Sequence, residues 1–152
     1  VQRVLSMLQK YFDGKIPYLK AADDNDSKLL LLPELTYQNI KNYMDDLNFT
    51  AALDEIWEII RKANSYVDIS EPWTLYKTNK IDRLGTVINV LLNVIFKTAI
   101  LTQPFLPMAS EKILSLLNKN SLIEFSYINT NLKSGITLDK PSAVFPRFIK
   151  KD

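Results

Sequence analysis

The chain has 152 residues and a mass of 17.5 kDa, enough for one domain whose folding removes roughly 68–70% of the unfolded surface from water. It contains no histidine and no cysteine, which excludes disulfides, thiolate or imidazole zinc sites, cysteine nucleophiles and every mechanism that needs an imidazole base. Nineteen basic against 17 acidic residues leave a formal charge of +2, so the total charge advertises no partner.

The apolar period is helical nearly throughout. Val1, Val4, Leu5, Leu8, Tyr11 and Phe12 repeat at three and four, and Asp13-Gly14 stops them. This first helix begins at the first residue with no cap before it, which reads as a piece of a longer protein. Residues 15–33 read as a connector holding Pro17, the cluster Asp23, Asp24 and Asp26, and Pro33. A second helix is expected over 34–46. A third, over 50–67, puts Ala52, Leu53, Ile56, Ile59, Ile60 and Ala63 on one face and takes Trp57 into the core. Ser70-Glu71-Pro72-Trp73 reads as a helix start, with Ser70 as N-cap and the proline in the first turn, where its missing N–H costs least. Residues 80–103 are apolar almost all round, the mark of a helix in the middle of a bundle. Their uncharged run, Leu84 to Phe96, is shorter than the roughly 17–25 residues of a membrane span. Pro104 and Pro107 break the pattern and open a helix through Leu116, and a short helix is expected over 121–127. From Asn129 the turn-forming residues with Gly135, Pro141 and Pro146 predict an irregular tail. The expected fold is an all-α helical bundle over 1–128, with a C-terminal tail over 129–152 packing back on it within the same domain.

Residues 1–20 carry +3, 21–60 carry −7, and both 61–100 and 101–152 carry +3. An anionic partner would meet the first helix and the 61–100 region, although local fluctuation on a solvated surface is the commoner reason for such unevenness. Gly14-Lys15 lacks the earlier glycine and the following Ser or Thr of a phosphate loop. The Asp23, Asp24, Asp26 cluster lacks the glycine and later Glu of a calcium loop and reads as a solvated loop. Asp54 and Glu58, four apart, face water. No credible catalytic pair and no metal set emerge.

Two features remain. Arg3 and Lys10 are seven apart on the polar side of the first helix, a stripe about 10 Å long that can track a phosphate backbone. Solubilising side chains are the default for such a stripe. Trp73, at a helix start, is open between a core residue and a half-exposed ring on which an unpaired RNA base stacks.

The run Asn64-Ser65-Tyr66-Val67-Asp68-Ile69-Ser70-Glu71-Pro72-Trp73-Thr74-Leu75-Tyr76-Lys77 resembles the N-x-Y-x-D-x-x-x-P-W-x-L-x-K segment of bacterial methionyl-tRNA synthetases. Val1-Gln2-Arg3, Asp13-Gly14-Lys15-Ile16-Pro17, Ala51 to Trp57, Gln103 to Pro107 and Val144-Phe145-Pro146-Arg147 resemble further blocks of that family's anticodon-binding domain, in order. The resemblance implies a helical anticodon-binding bundle whose partners are the anticodon loop of methionine tRNA and the catalytic domain of the same polypeptide. It implies a cytoplasmic protein with no membrane or DNA partner. It also implies that Trp73, after Pro72, stacks on the first base of a CAU anticodon and that Arg3 helps read the loop. The family's asparagine one turn before that arginine would fall upstream of Val1, and Glu71 stands where a small residue is common. The signatures His-Ile-Gly-His and Lys-Met-Ser-Lys-Ser and the zinc knuckle are absent. No cofactor is therefore expected in this chain, and ATP and magnesium are implied only for a parent methionine–tRNA ligase. The competing expectation is a protein–protein docking module using the acidic 21–60 face.

Overall fold

The computed structural model describes residues 1–119 and 123–145. They form α1 (Gln2–Phe12), α2 (Asp24–Asp45), α3 (Phe49–Ser70), α4 (Pro72–Lys77), α5 (Ile81–Thr102) and α6 (Pro107–Leu116), followed by a 3₁₀ turn at Phe125–Asn129. Among the described residues there is no strand, only an isolated antiparallel bridge between Lys15 and Thr137. The fold is the expected all-α bundle. α2 and α3 pack as a hairpin joined by Asp46, Leu47 and Asn48, a link short enough to force antiparallel neighbours. The Asn48 side chain caps α3 by accepting from the Ala51 N–H at 3.2 Å.

α5 is the axis, in contact with α1, α2, α3, α4 and α6. By length and composition it could cross a membrane, but 89% of its most apolar window is buried inside the bundle, as befits a core helix. It also carries a buried polar stripe at three- and four-residue spacing: Thr86, Asn89, Asn93 and Lys97. Each side chain ties an outer segment to the axis. Thr86 bonds the Lys20 carbonyl, Asn89 donates to the Pro17 carbonyl at 2.7 Å, and Lys97 pairs with Glu34 of α2. Asn93 donates to Asn89 and accepts from the Leu132 N–H at 2.6 Å. Asn93→Ala leaves that N–H without its partner beside the core, a cost of about 1–3 kcal/mol. The expected result is a lower melting temperature with accelerated amide exchange at Leu132 before the helices open.

Four sequence expectations are corrected. The connector is shorter than 15–33, because α2 starts at Asp24 and not at residue 34. Asp23 and Asp26 form a reciprocal capping box, each accepting from the other's N–H at 2.9 Å, so the acidic cluster is a helix start rather than a solvated loop. Pro33 then lies inside α2, where the tertiary anchors of this helix outweigh a missing donor. Third, Ser70 is not an N-cap but the last residue of α3. Fourth, Trp57 is 50% exposed, since Ala52, Ile56 and Ile59 take the core-facing phase of α3. The short helix expected over 121–127 lies partly outside the described residues, and the chain after Glu124 forms the 3₁₀ turn. Pro146 and Arg147 also lie outside them.

After this turn, Gly135 N–H bonds the Ile16 carbonyl and Ile16 N–H bonds that of Ile136, both at 2.8 Å, while Leu132, Leu138 and Val144 are buried. Gly14 has φ +79°, and a Cβ there would lie 2.7 Å from the Leu138 carbonyl oxygen, so both conformation and space demand glycine.

Candidate nucleic-acid interface

α4 is held between two helices by one residue of strained backbone and one buried acid. A proline disfavours αR at the residue before it, and Glu71, preceding Pro72, has φ 44° and ψ 62°. α3 thus ends at this residue and α4 begins at the next. The Glu71 N–H closes α3 on the Val67 carbonyl at 3.1 Å, and its own carbonyl accepts from Thr74 at 2.8 Å and Leu75 at 3.1 Å. Pro72 is buried at the first position of α4. The corner turns Trp73 out of the α3 direction while its ring still packs partly on the core.

The second anchor is Asp26. Its carboxylate is fully buried and accepts from Arg83 Nη1 at 2.5 Å, Arg83 Nη2 at 3.0 Å and the Tyr66 hydroxyl at 2.5 Å. Tyr66 lies in the last turns of α3 and Arg83 in the first turn of α5. One carboxylate therefore fixes both ends of the segment that contains α4. Burial by itself pushes the Asp26 pKa up, but the hydrogen bonds from Arg83 and Tyr66 outweigh it and hold the carboxyl below its ordinary range. Burial, and then the bond to Asp26, pushes the Tyr66 phenol well above its ordinary value. Arg83 is raised by its bond to Asp26.

On the outer side, α4 faces α1. The Arg3 guanidinium carbon lies 5.0 Å from the Trp73 ring centroid, within cation–π range. Further along the seam the Tyr11 and Tyr76 rings stack with centroids 4.4 Å apart, and Lys10 Nζ lies 5.4 Å from the Tyr11 centroid. Arg3 and Lys10 are exposed, and among the described residues neither has a carboxylate within 4.0 Å. The structure thus brings Arg3 and Trp73 together. It sets Lys10 about 10 Å further along α1 and places Pro72 behind the tryptophan rather than on the surface. The Tyr11–Tyr76 pair was not expected from the sequence, in which Tyr11 belongs to the apolar stripe. The available signal was the spacing of Trp73 and Tyr76, three apart and hence one turn apart on α4.

An apolar groove of about 310 Å³ between α1, α3, α5 and α6 is lined by Val1, Val4, Trp57, Ile60 and Phe145 among others. Among the described residues no group of three or more acidic side chains converges to hold a metal, and the Asp26 carboxylate is already filled by Arg83 and Tyr66.

Fold and seam together define a small helical-bundle domain that offers paired cations and aromatic rings along one helix junction. Residues 16–152 match the family described as the anticodon binding domain of methionyl tRNA ligase. The chain is 36% identical over 149 residues to the methionine–tRNA ligase of Clostridium tetani, covering 97% of this chain and 23% of that protein. It is 34% identical over 155 aligned positions to that of Brucella suis, covering 99% and 30%. The apo structure of Mycobacterium tuberculosis methionyl-tRNA synthetase superposes with a TM-score of 0.92 at 31% identity, covering 99% of this chain and 31% of that one. The chain belongs to the family of anticodon-binding domains of methionyl-tRNA ligases. It spans less than a third of the length of the relatives it matches.

Proposed function

We propose that this chain reads the anticodon of methionine tRNA on behalf of a methionine–tRNA ligase. The carrying observation is the Arg3–Trp73 pair, a partly buried indole with a guanidinium 5.0 Å from its centroid and no carboxylate competing for that charge among the described residues. An unpaired base can stack on such a ring while the guanidinium turns to a phosphate or a base edge. In this reading Trp73 takes the first base of the CAU anticodon, Arg3 engages the loop, Lys10 follows the phosphates, and Pro72 holds the tryptophan at the corner. Duplex DNA keeps its bases stacked and offers the ring nothing, so the partner is a single-stranded loop. Joining methionine to tRNA with ATP and magnesium, and docking to the catalytic domain that does so, belong in this proposal to the longer protein, working in the cytoplasm.

The test is a titration of the chain with a CAU anticodon stem-loop and with one altered at the first base. Tighter binding of the CAU loop, weakening between 50 and 200 mM salt, is the expected result. Equal affinity for both loops overturns the anticodon reading. Binding that ignores salt and is displaced by a protein instead supports a docking module.

A further inference from the structure

We infer that the Tyr11–Tyr76 stack, flanked by Lys10, is a second base-stacking platform that receives the nucleotide adjacent to the one on Trp73. The inference rests on the anticodon reading above and extends its binding surface to residues outside it. Three observations carry it. Tyr11 covers one face of Tyr76 at 4.4 Å with 24° between the rings, yet Tyr76 remains 45% exposed, which leaves side-chain surface for a further planar group. Two stacked rings restrain each other, which lowers the conformational cost of receiving a third planar group on top. Next, Trp73 and Tyr76 are three residues apart and so one turn apart on α4, a backbone rise of about 4.5 Å. One short helix therefore presents two aromatic side chains along the same seam. Finally, Lys10 stands over Tyr11 without a carboxylate partner among the described residues, as Arg3 stands over Trp73. The seam repeats one unit twice, a ring with a free cation beside it, and the two cations lie about 10 Å apart on α1, within reach of phosphates two to three nucleotides apart.

Because every base has a π-face, the second platform adds affinity without selecting a base. In the anticodon reading Trp73 differs because it holds the first anticodon base beside Arg3, which can reach that base's edge, so its loss should also change the first-base preference. This difference separates the two readings.

The experiment uses the CAU stem-loop, its first-base variant, and two CAU loops carrying 2-aminopurine at either neighbour of the first anticodon base. They are titrated against wild type, Tyr76→Leu, Tyr76→Phe and Trp73→Ala, with thermal melts as folding controls. Tyr76→Leu is expected to weaken both unlabelled stem-loops about five- to a hundredfold by the same factor, keeping the first-base preference. It should also abolish the quenching of one 2-aminopurine probe. Tyr76→Phe is expected to restore both. Unchanged affinity and quenching in Tyr76→Leu, while Trp73→Ala still loses binding, overturns the platform alone. A loss in Tyr76→Phe equal to that in Tyr76→Leu assigns the effect to the hydroxyl and also overturns it. A wild-type chain that binds no stem-loop overturns the anticodon reading and the platform with it.

Discussion

Asp26→Ala is expected to lower the stability of the chain by about 3 kcal/mol, a larger loss than from any single apolar truncation at the surface. Removing one partner of a buried ion pair costs about 3–5 kcal/mol because the other charge is left uncompensated. The lower end applies here, since the Arg83 side chain keeps 32% of its exposure and recovers some hydration. The Tyr66 hydroxyl and the Asp23 N–H lose their acceptors in the same substitution. For a chain of this length the expected fall in melting temperature is roughly 6–12 °C. Asp26→Asn keeps an acceptor for the phenol and should fall between wild type and Asp26→Ala. A melting temperature for Asp26→Ala indistinguishable from wild type contradicts the anchoring role.

The same carboxylate sets the acid limb of stability. Its folded pKa lies below that of the unfolded chain, about 3.9 for an aspartate. Between those two values the unfolded state binds the proton that the folded state refuses, so stability rises with pH there. The contribution is complete above about pH 4 and is lost as the pH falls through the folded value. Tyr66 acts with the opposite sense at the alkaline end. Its folded pKa is raised, so its contribution is complete below about pH 10 and is lost as pH rises further. Melts at about pH 3, 7 and 10.5, chosen to bracket the two unfolded values, are expected to show a flattened acid limb in Asp26→Asn and a flattened alkaline limb in Tyr66→Phe.

These residues also mark where local sequence patterns run out. α1, α5 and α6 follow from apolar periodicity and from Pro104 and Pro107, because those signals act within one element. The start of α2 does not. An N-cap and third residue that are both aspartate, with Pro33 further along, look like a loop until Arg83 and Tyr66, 57 and 40 residues away, are folded against Asp26. The buried stripe Thr86, Asn89, Asn93 and Lys97 has helical spacing and was visible in principle, but its partners are largely backbone groups of irregular segments that carry no sequence signal. At the interface, the helical phase of α1 puts Arg3 and Lys10 on a polar stripe, and nothing in that phase says that α4 lies alongside. The roles assigned to Arg3 and Trp73 came from family resemblance. The 5.0 Å contact between them and the tyrosine stack beyond it come from tertiary packing.

Trp73→Ala is expected to weaken binding of a CAU anticodon stem-loop by about 1–3 kcal/mol, the range of a single base–aromatic stack, or roughly 5- to 150-fold. In the proposed reading the first-base preference should disappear with it, because the indole holds that base where Arg3 can reach its edge. Stability should fall as well, since the ring packs against the core, so affinities are compared at a temperature where thermal melts show the variant folded. Arg3→Ala separates the charge from the ring. If the guanidinium turns from Trp73 to a phosphate on binding, the slope of log K against log salt should flatten by about 0.7 in Arg3→Ala and stay unchanged in Trp73→Ala. The free-state contact makes the two substitutions non-additive. Once Trp73 is gone, Arg3 no longer gives up a cation–π interaction to reach the RNA, so the Arg3→Ala loss measured in the Trp73→Ala background should be larger than in wild type. Additive losses mean that Arg3 stays on the ring in the complex, and unchanged affinity in Trp73→Ala removes the stacking role altogether.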